Sequence, residues 1–285
     1  MTGAVLEGHL AYWKRQLAGD LPTLRLPTDH PHPTTPSRRG ATKTLILPAE
    51  LSQSLTALSR REDVTLFILL LAAFKTLLYK YTAQEDIIIG ATVANRTRAE
   101  IEPLIGFFVN MLPLRTDLSR DPKFIELLKR VKEVALGAYA HQDLPFEKLV
   151  SDIHAAGEAP LFNVLFGVRN TPWEDLRLPG IRFRPMLVEQ EAARFDLALW
   201  VTEKIDGMSL CWTYSQDLFK EKTITRMHSH FETLLFSIVE RPDARLTTLE
   251  ISLKAESQLS NKSGDGQEDS NRRKLLSIKR RSTHL

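Results

Sequence analysis

The chain has 285 residues, 43% of them hydrophobic and 26% charged, with a formal net charge of +3; this is the profile of a globular protein, not of a disordered or collagenous chain. Seven Lys/Arg against three acids in residues 261–285 leave residues 1–260 close to neutral, so the body gives no electrostatic argument for nucleic acid. The single cysteine, Cys211, excludes an intramolecular disulfide and a Cys-based zinc site, and with no basic stretch followed by an apolar one at the start it points to the cytoplasm.

Residues 1–40 read as a leading helix and a Pro-rich connector. Leu10, Trp13 and Leu17 keep helical spacing over 9–19, and Gly19 stops the helix. Five prolines between 21 and 40 predict an extended connector laid over a surface. Residues 41–255 carry the periodic segments. "TKTLILP" (42–48) predicts a strand, and Leu51, Leu55 and Leu58 predict a helix over 51–61. Residues 64–82 form a helix that is apolar nearly all round, so a core helix; its apolar run, 66–74, falls short of the roughly 20 residues a bilayer span needs. "DIIIGATVA" (86–94) reads as an interior strand, and "IGFFVNMLPLRTDL" (105–118) as another.

Asp121 as N-cap and Pro122 at the first helical position predict a helix over 121–142. Its buried stripe is Phe124, Leu127, Leu128, Val131, Val134, Ala135 and Ala138. Pro145 opens a helix over 145–156, which Gly157 and Pro160 end. Strands follow at 161–170, 182–188, 194–204 and 208–215, the last two joined by a hairpin turn at Asp206 and Gly207. A last helix spans 218–240. In residues 256–285 Ser, Asn, Gly, Asp and Arg dominate, and this basic tail is predicted to be disordered. The class is mixed α/β.

"HQDLPFEKL" (141–149) gathers an imidazole, an amide and two carboxylates. Adjacent helical residues point in different directions, and an imidazole at a helix C-terminus has the unpaired carbonyls as partners. Glu147, two after Pro145, can serve the first amides of the next helix. Spacing alone therefore favours a structural stretch over a catalytic one. No G-x-S-x-G and no P-loop is present. Cys211 lies in an apolar strand and reads as core. His30 and His32, and His228 and His230, are spaced by two, which does not place a pair on one helix face, so no metal site is expected. Asn110 interrupts an apolar strand; either it satisfies backbone at a strand edge or it reaches into a cleft. Arg96 follows an interior strand, where strand ends often line a site, and the same two readings stand.

Taken in order from about residue 9 to about residue 250, "HLAYWKRQLAG", "IGFFVNMLPLR", "HQDLPFEKLV", "APLFNVLFGVRN", "RFDLALWV" and "YSQDLFKEKTITRMHSHFETLL" resemble the condensation domains of nonribosomal peptide synthetases. "IGFFVN" is similar to the family's I-G-x-F-V-N-T-x-x-x-R, with Met111 in place of its threonine. The resemblance implies a chloramphenicol acetyltransferase-like fold, a V of two α/β subdomains with a substrate tunnel between them. Residues 41–255 would be the C-terminal subdomain, a mixed sheet flanked by helices. It implies amide formation between thioesters tethered to two peptidyl carrier proteins. Phosphopantetheine would arrive only as the carriers' arm, so no cofactor of the chain's own is expected.

Among site residues, the resemblance puts Asn110, Arg96 and Gly106 near the tunnel. It makes His141, Gln142, Asp143, Pro145, Phe146, Glu147, Arg194 and Asp196 motif residues that brace the subdomain. The family's H-H-x-x-x-D-G, credited with acting on or positioning the amine, belongs to the other half. Neither D-G dipeptide here, at Asp206 or at Asp265, follows a His pair. The expectation is a C-terminal half without its catalytic partner and inactive alone, needing an N-terminal condensation subdomain. Two competitors stand beside it: a binding module for a carrier protein or half-domain, and a stand-alone acyltransferase using coenzyme A with His141 or another histidine as base.

Overall fold

The computed structural model describes residues 3–96, 98–153, 160–169, 192–204 and 207–252. The chain divides into a unit Met1–Ile251 and a unit Ser252–Leu285. The second lies, apart from Ser252, outside the described residues, as do the expected strand at 182–188 and Asp206 of the expected turn.

In chain order the first unit holds α1 (Ala4–Gln16), β1 (Gly40–Ile46), α2 (Ala49–Arg61), α3 (Leu66–Thr82), β2 (Asp86–Val93), β3 (Asn110–Asp117), α4 (Phe124–Ala140), α5 (Phe146–Ile153), β4 (Val164–Arg169), β5 (Leu197–Lys204), β6 (Gly207–Ser215) and α6 (Glu221–Glu240). The strands make one mixed sheet in the order β1-β6-β5-β4-β2-β3. β4 runs parallel to β2 and β5, and the other pairs are antiparallel. The fold class read from the sequence, a mixed sheet flanked by helices, is the one observed.

α3 is the centre of the core. Leu69 to Leu78 are buried without exception. The Phe74 ring meets Phe166 of β4 at 5.7 Å, Trp212 of β6 at 5.9 Å and Phe231 of α6 at 6.1 Å, so one side chain joins sheet and helices. Thr65 caps the helix by accepting from the Ile68 amide. Lys75, fully buried in this helix, donates to Ile87 O at 3.0 Å and Leu114 O at 2.7 Å, bridging β2 and β3. Among the described residues no single helix is long and apolar enough to cross a membrane.

The connector is held down rather than loose. Asp29 accepts from the Lys220 amide and the Thr223 hydroxyl at the start of α6, and Ser37 donates twice to Asp217.

Several boundaries shift by a few residues, with β4, β5 and α6 each starting three residues late; three other differences have a visible cause. α1 begins five residues early because Leu6, one turn before Leu10, also packs on the core. The expected strand over 105–118 starts only at Asn110, which pairs with Val93, the last residue of β2, so the β2–β3 ladder stops before 105–109. Asp121 does not cap α4. It has φ +44 and its carboxylate accepts from the Thr247 amide and hydroxyl, whereas a capping residue takes extended backbone. The helix starts at Phe124, with its first amides accepted by Ala244 O, Pro242 O and Lys123 O and the Lys123 amide by Glu126.

Candidate functional site

The HQDLPFE stretch is the joint between α4 and α5, and Asn110 holds it. The Asn110 side chain, 8% exposed, sits at the first residue of β3. Its Nδ2 donates to Gln142 O and Leu144 O, each at 2.7 Å. Its Oδ1 accepts from the Phe146 amide and from its own neighbour, the Met111 amide, each at 3.0 Å. The amide thus meets two carbonyls and two N–H groups, which fills its ordinary capacity. Of the two readings left open, the structure shows Asn110 satisfying backbone. Of the first amides of α5, that of Phe146 goes to Asn110, and Glu147, Asp143 and Pro145 are exposed.

His141 ends α4. Its ring lies 4.1 Å from that of Tyr12 and nearly parallel to it, its Nδ1 is 2.9 Å from Nδ1 of His9, and its carbonyl accepts from Trp13 Nε1 at 3.2 Å. Burial first, then His9 and Arg15, hold its pKa below the usual imidazole value. The expected capping role at the helix end becomes, in the structure, a docking role for α1.

Between β2 and β3 the chain makes an exposed loop. Arg96 donates to Ile101 O and Glu102 O and lies over the Phe108 ring, 4.2 Å from its centroid. Gly106 bends beneath the same ring; a Cβ there would come within 2.9 Å of it. Arg96 and Gly106 therefore shape this loop. Ile105 and Phe107 stand almost wholly in solvent, with Leu104 and Val109 about half exposed.

Asp196 belongs to a second cluster, and Arg194 stands two residues before it. Arg194 is exposed. Asp196 Oδ2 accepts from Asn163 Nδ2 at 2.8 Å and faces His32 Nε2 at 3.2 Å, and the Asp196 amide donates to Asn163 O. Asn163 Nδ2 also reaches Leu24 O of the connector. An aromatic row joins this cluster to the HQDLPFE joint: Phe146 to Phe162 at 5.4 Å and Phe162 to Phe195 at 5.7 Å. Phe162 lies flat where Gly90 of β2 leaves room, since a Cβ there would meet its ring at 2.1 Å.

Sequence reasoning missed Phe162, Asn163, His9 and Tyr12. The first two had a signal, an aromatic and an amide just before an apolar strand. The last two had none, because their partner, His141, is more than a hundred residues away. Among the described residues no three His, Cys, Asp or Glu side chains come together as a metal would require. What the arrangement does chemically is position backbone: one amide side chain and one aromatic row fix two motif segments to the sheet.

The family model described as the condensation domain matches residues 2–259. The chain is 47% identical over 254 residues to a linear gramicidin synthase of Brevibacillus parabrevis, covering 87% of this chain and 3% of that protein. It is 32% identical to the crystal structure of the X-domain from teicoplanin biosynthesis, with a TM-score of 0.80, covering 88% of this chain and 58% of that one. A holo four-domain nonribosomal peptide synthetase shares the fold at 20% identity, with a TM-score of 0.82 over 90% of this chain and 21% of its own. The chain thus spans a few per cent of the curated relative and somewhat over half of the solved domain.

Proposed function

Because the chain belongs to the condensation domain family, we propose that it supplies the acceptor-side half of an amide-forming acyltransferase in nonribosomal peptide synthesis. The acceptor amine, carried as a thioester on one carrier protein, attacks the donor thioester on another; the C–S bond breaks and an amide forms. Phosphopantetheine comes on the carriers, and this half brings no cofactor. Asn110, Arg96 and Gly106 shape the side of the tunnel this half contributes. The H-H-x-x-x-D-G pattern is not within these 285 residues, so the proton handling falls to the N-terminal half of the domain. The reading is supported above all by the HQDLPFE joint fastened to β3 by Asn110, in a chain matched by the family over residues 2–259. The setting is the cytoplasm, in keeping with one cysteine.

The test mixes the chain alone with two carriers, one bearing donor and one acceptor, and looks for the amide by mass spectrometry. No product above a carrier-only control is expected, because orientation of two thioesters needs both walls of a tunnel. Acyl-CoA turnover that disappears in His141→Ala would replace this reading by a stand-alone acyltransferase.

One observation favours a second reading, a binding module. Leu104, Ile105, Phe107 and Val109 expose apolar surface on one loop, and contiguous apolar surface marks a docking site or an aggregation hazard. The occupant we assign is the N-terminal half of a condensation domain, since this chain covers only 58% of the solved relative. Capture of such a half by the chain, lost in Phe107→Ser, supports it; equal capture by both proteins refutes it.

A further inference from the structure

We propose that His9 and His141 form a proton-operated latch that fastens α1 to the HQDLPFE joint. Their Nδ1 atoms are 2.9 Å apart across 132 residues of chain. At that distance one ring must present an N–H and the other a bare lone pair. Two imidazolium rings would both present N–H, so a second proton on the pair replaces a hydrogen bond by like-charge repulsion. His9, Tyr12 and Trp13 share one face of α1 through their i, i+3 and i+4 spacing. All three engage His141: by the shared hydrogen, by the 4.1 Å ring stack, and by the Trp13 Nε1 bond to its carbonyl.

The groups around the pair do little to accommodate added positive charge. From α1, Arg15 bears on His141 and lies over the Tyr12 ring, while Glu7 is exposed. α5, which also packs on α1, turns Leu149 inward and leaves Glu147, Lys148 and Asp152 exposed, with Lys148 paired to Asp152. Asp143, in the joint itself, is exposed as well. The C-terminal carbonyls of α4 favour a cation at His141, while burial, His9 and Arg15 act against one. Acidification through the imidazole range therefore loosens α1, and the loosening reaches Gln142 and Leu144, whose carbonyls Asn110 holds.

Hydrogen–deuterium exchange of the full chain tests this, with protection corrected for intrinsic rates and compared between about pH 8 and about pH 5.5, the window in which imidazoles titrate. Protection of α1 relative to α3 is expected to fall about tenfold on acidification, the equivalent of one pKa unit of coupling. His9→Asn, whose amide bonds without titrating, is expected to abolish that fall. His32→Asn, which removes a different imidazole–carboxylate contact, is expected to retain it. Unchanged α1 protection in the wild type, or a fall that persists in His9→Asn, overturns the proposal. If His9→Asn leaves α1 unprotected at both pH values, proton NMR titration of the wild-type histidines decides: two coupled steps shared by His9 and His141 support the latch, and two independent single steps refute it.

Discussion

The Phe146 amide donates to Asn110 Oδ1 at 3.0 Å across 36 residues of chain, and this bond ties the first residue of α5 to the first residue of β3. The same side chain holds two carbonyls from the other side. Asn110→Ala leaves those groups buried and unmet, a loss of roughly 2–4 kcal/mol. Asn110→Asp is nearly isosteric but cannot donate, and it sets a carboxylate against two carbonyls. At neutral pH it is expected to cost more than Asn110→Ala. Urea unfolding of both variants measures this; equal stability of Asn110→Asp and wild type would show that the Nδ2 bonds contribute nothing.

Gly90 and Phe162 make the second joint. A methyl at Gly90 would meet the Phe162 ring, which sits between Phe146 and Phe195. Gly90→Ala is expected to cost about 1–3 kcal/mol by overpacking. In a Phe162→Ala background the clash is gone, so the same substitution should cost far less. A double-mutant cycle reads the coupling directly, and additive costs would mean that the ring is not what Gly90 accommodates.

Lys75 gives a pH dependence. Burial lowers its pKa from 10.5 to about 7. The unfolded chain, with the ordinary lysine value, holds more protons between those two values, so stability grows as pH rises from about 7 to about 10.5 and is lost on the way back down. The whole span is roughly 4–5 kcal/mol at most. Lys75→Met keeps the volume and removes the titration. The Ile87 and Leu114 carbonyls remain within the β2–β3 ladder. The variant is expected to be at least as stable as wild type near pH 7, with the stability difference shrinking as pH rises. A difference that does not vary with pH would contradict the buried-lysine account.

These joints also show what sequence could and could not reveal. α3, α4, α6, β2, β5 and β6 announce themselves by period and turn chemistry, since apolar residues at helical or alternating spacing have to face a core. The 105–109 segment has the apolar and aromatic composition of a strand, yet a strand needs a neighbour, and β2 stops at Val93. Asp121 looks like a cap until Thr247, 126 residues away, takes its carboxylate. Asn110 was visible as an amide in an apolar run, but which backbone it serves depends on where α4 ends. His9 and Tyr12 acquire meaning only through His141. Local chemistry was legible; partnerships made across more than a hundred residues were not.

Whether this chain frames a condensation reaction that another half completes is decided by reconstitution. The chain is combined with an N-terminal condensation half that carries H-H-x-x-x-D-G, and with carriers loaded with donor and acceptor. Amide product is expected with both halves present and with neither half alone. Product from this chain without the other half would refute the half-domain reading.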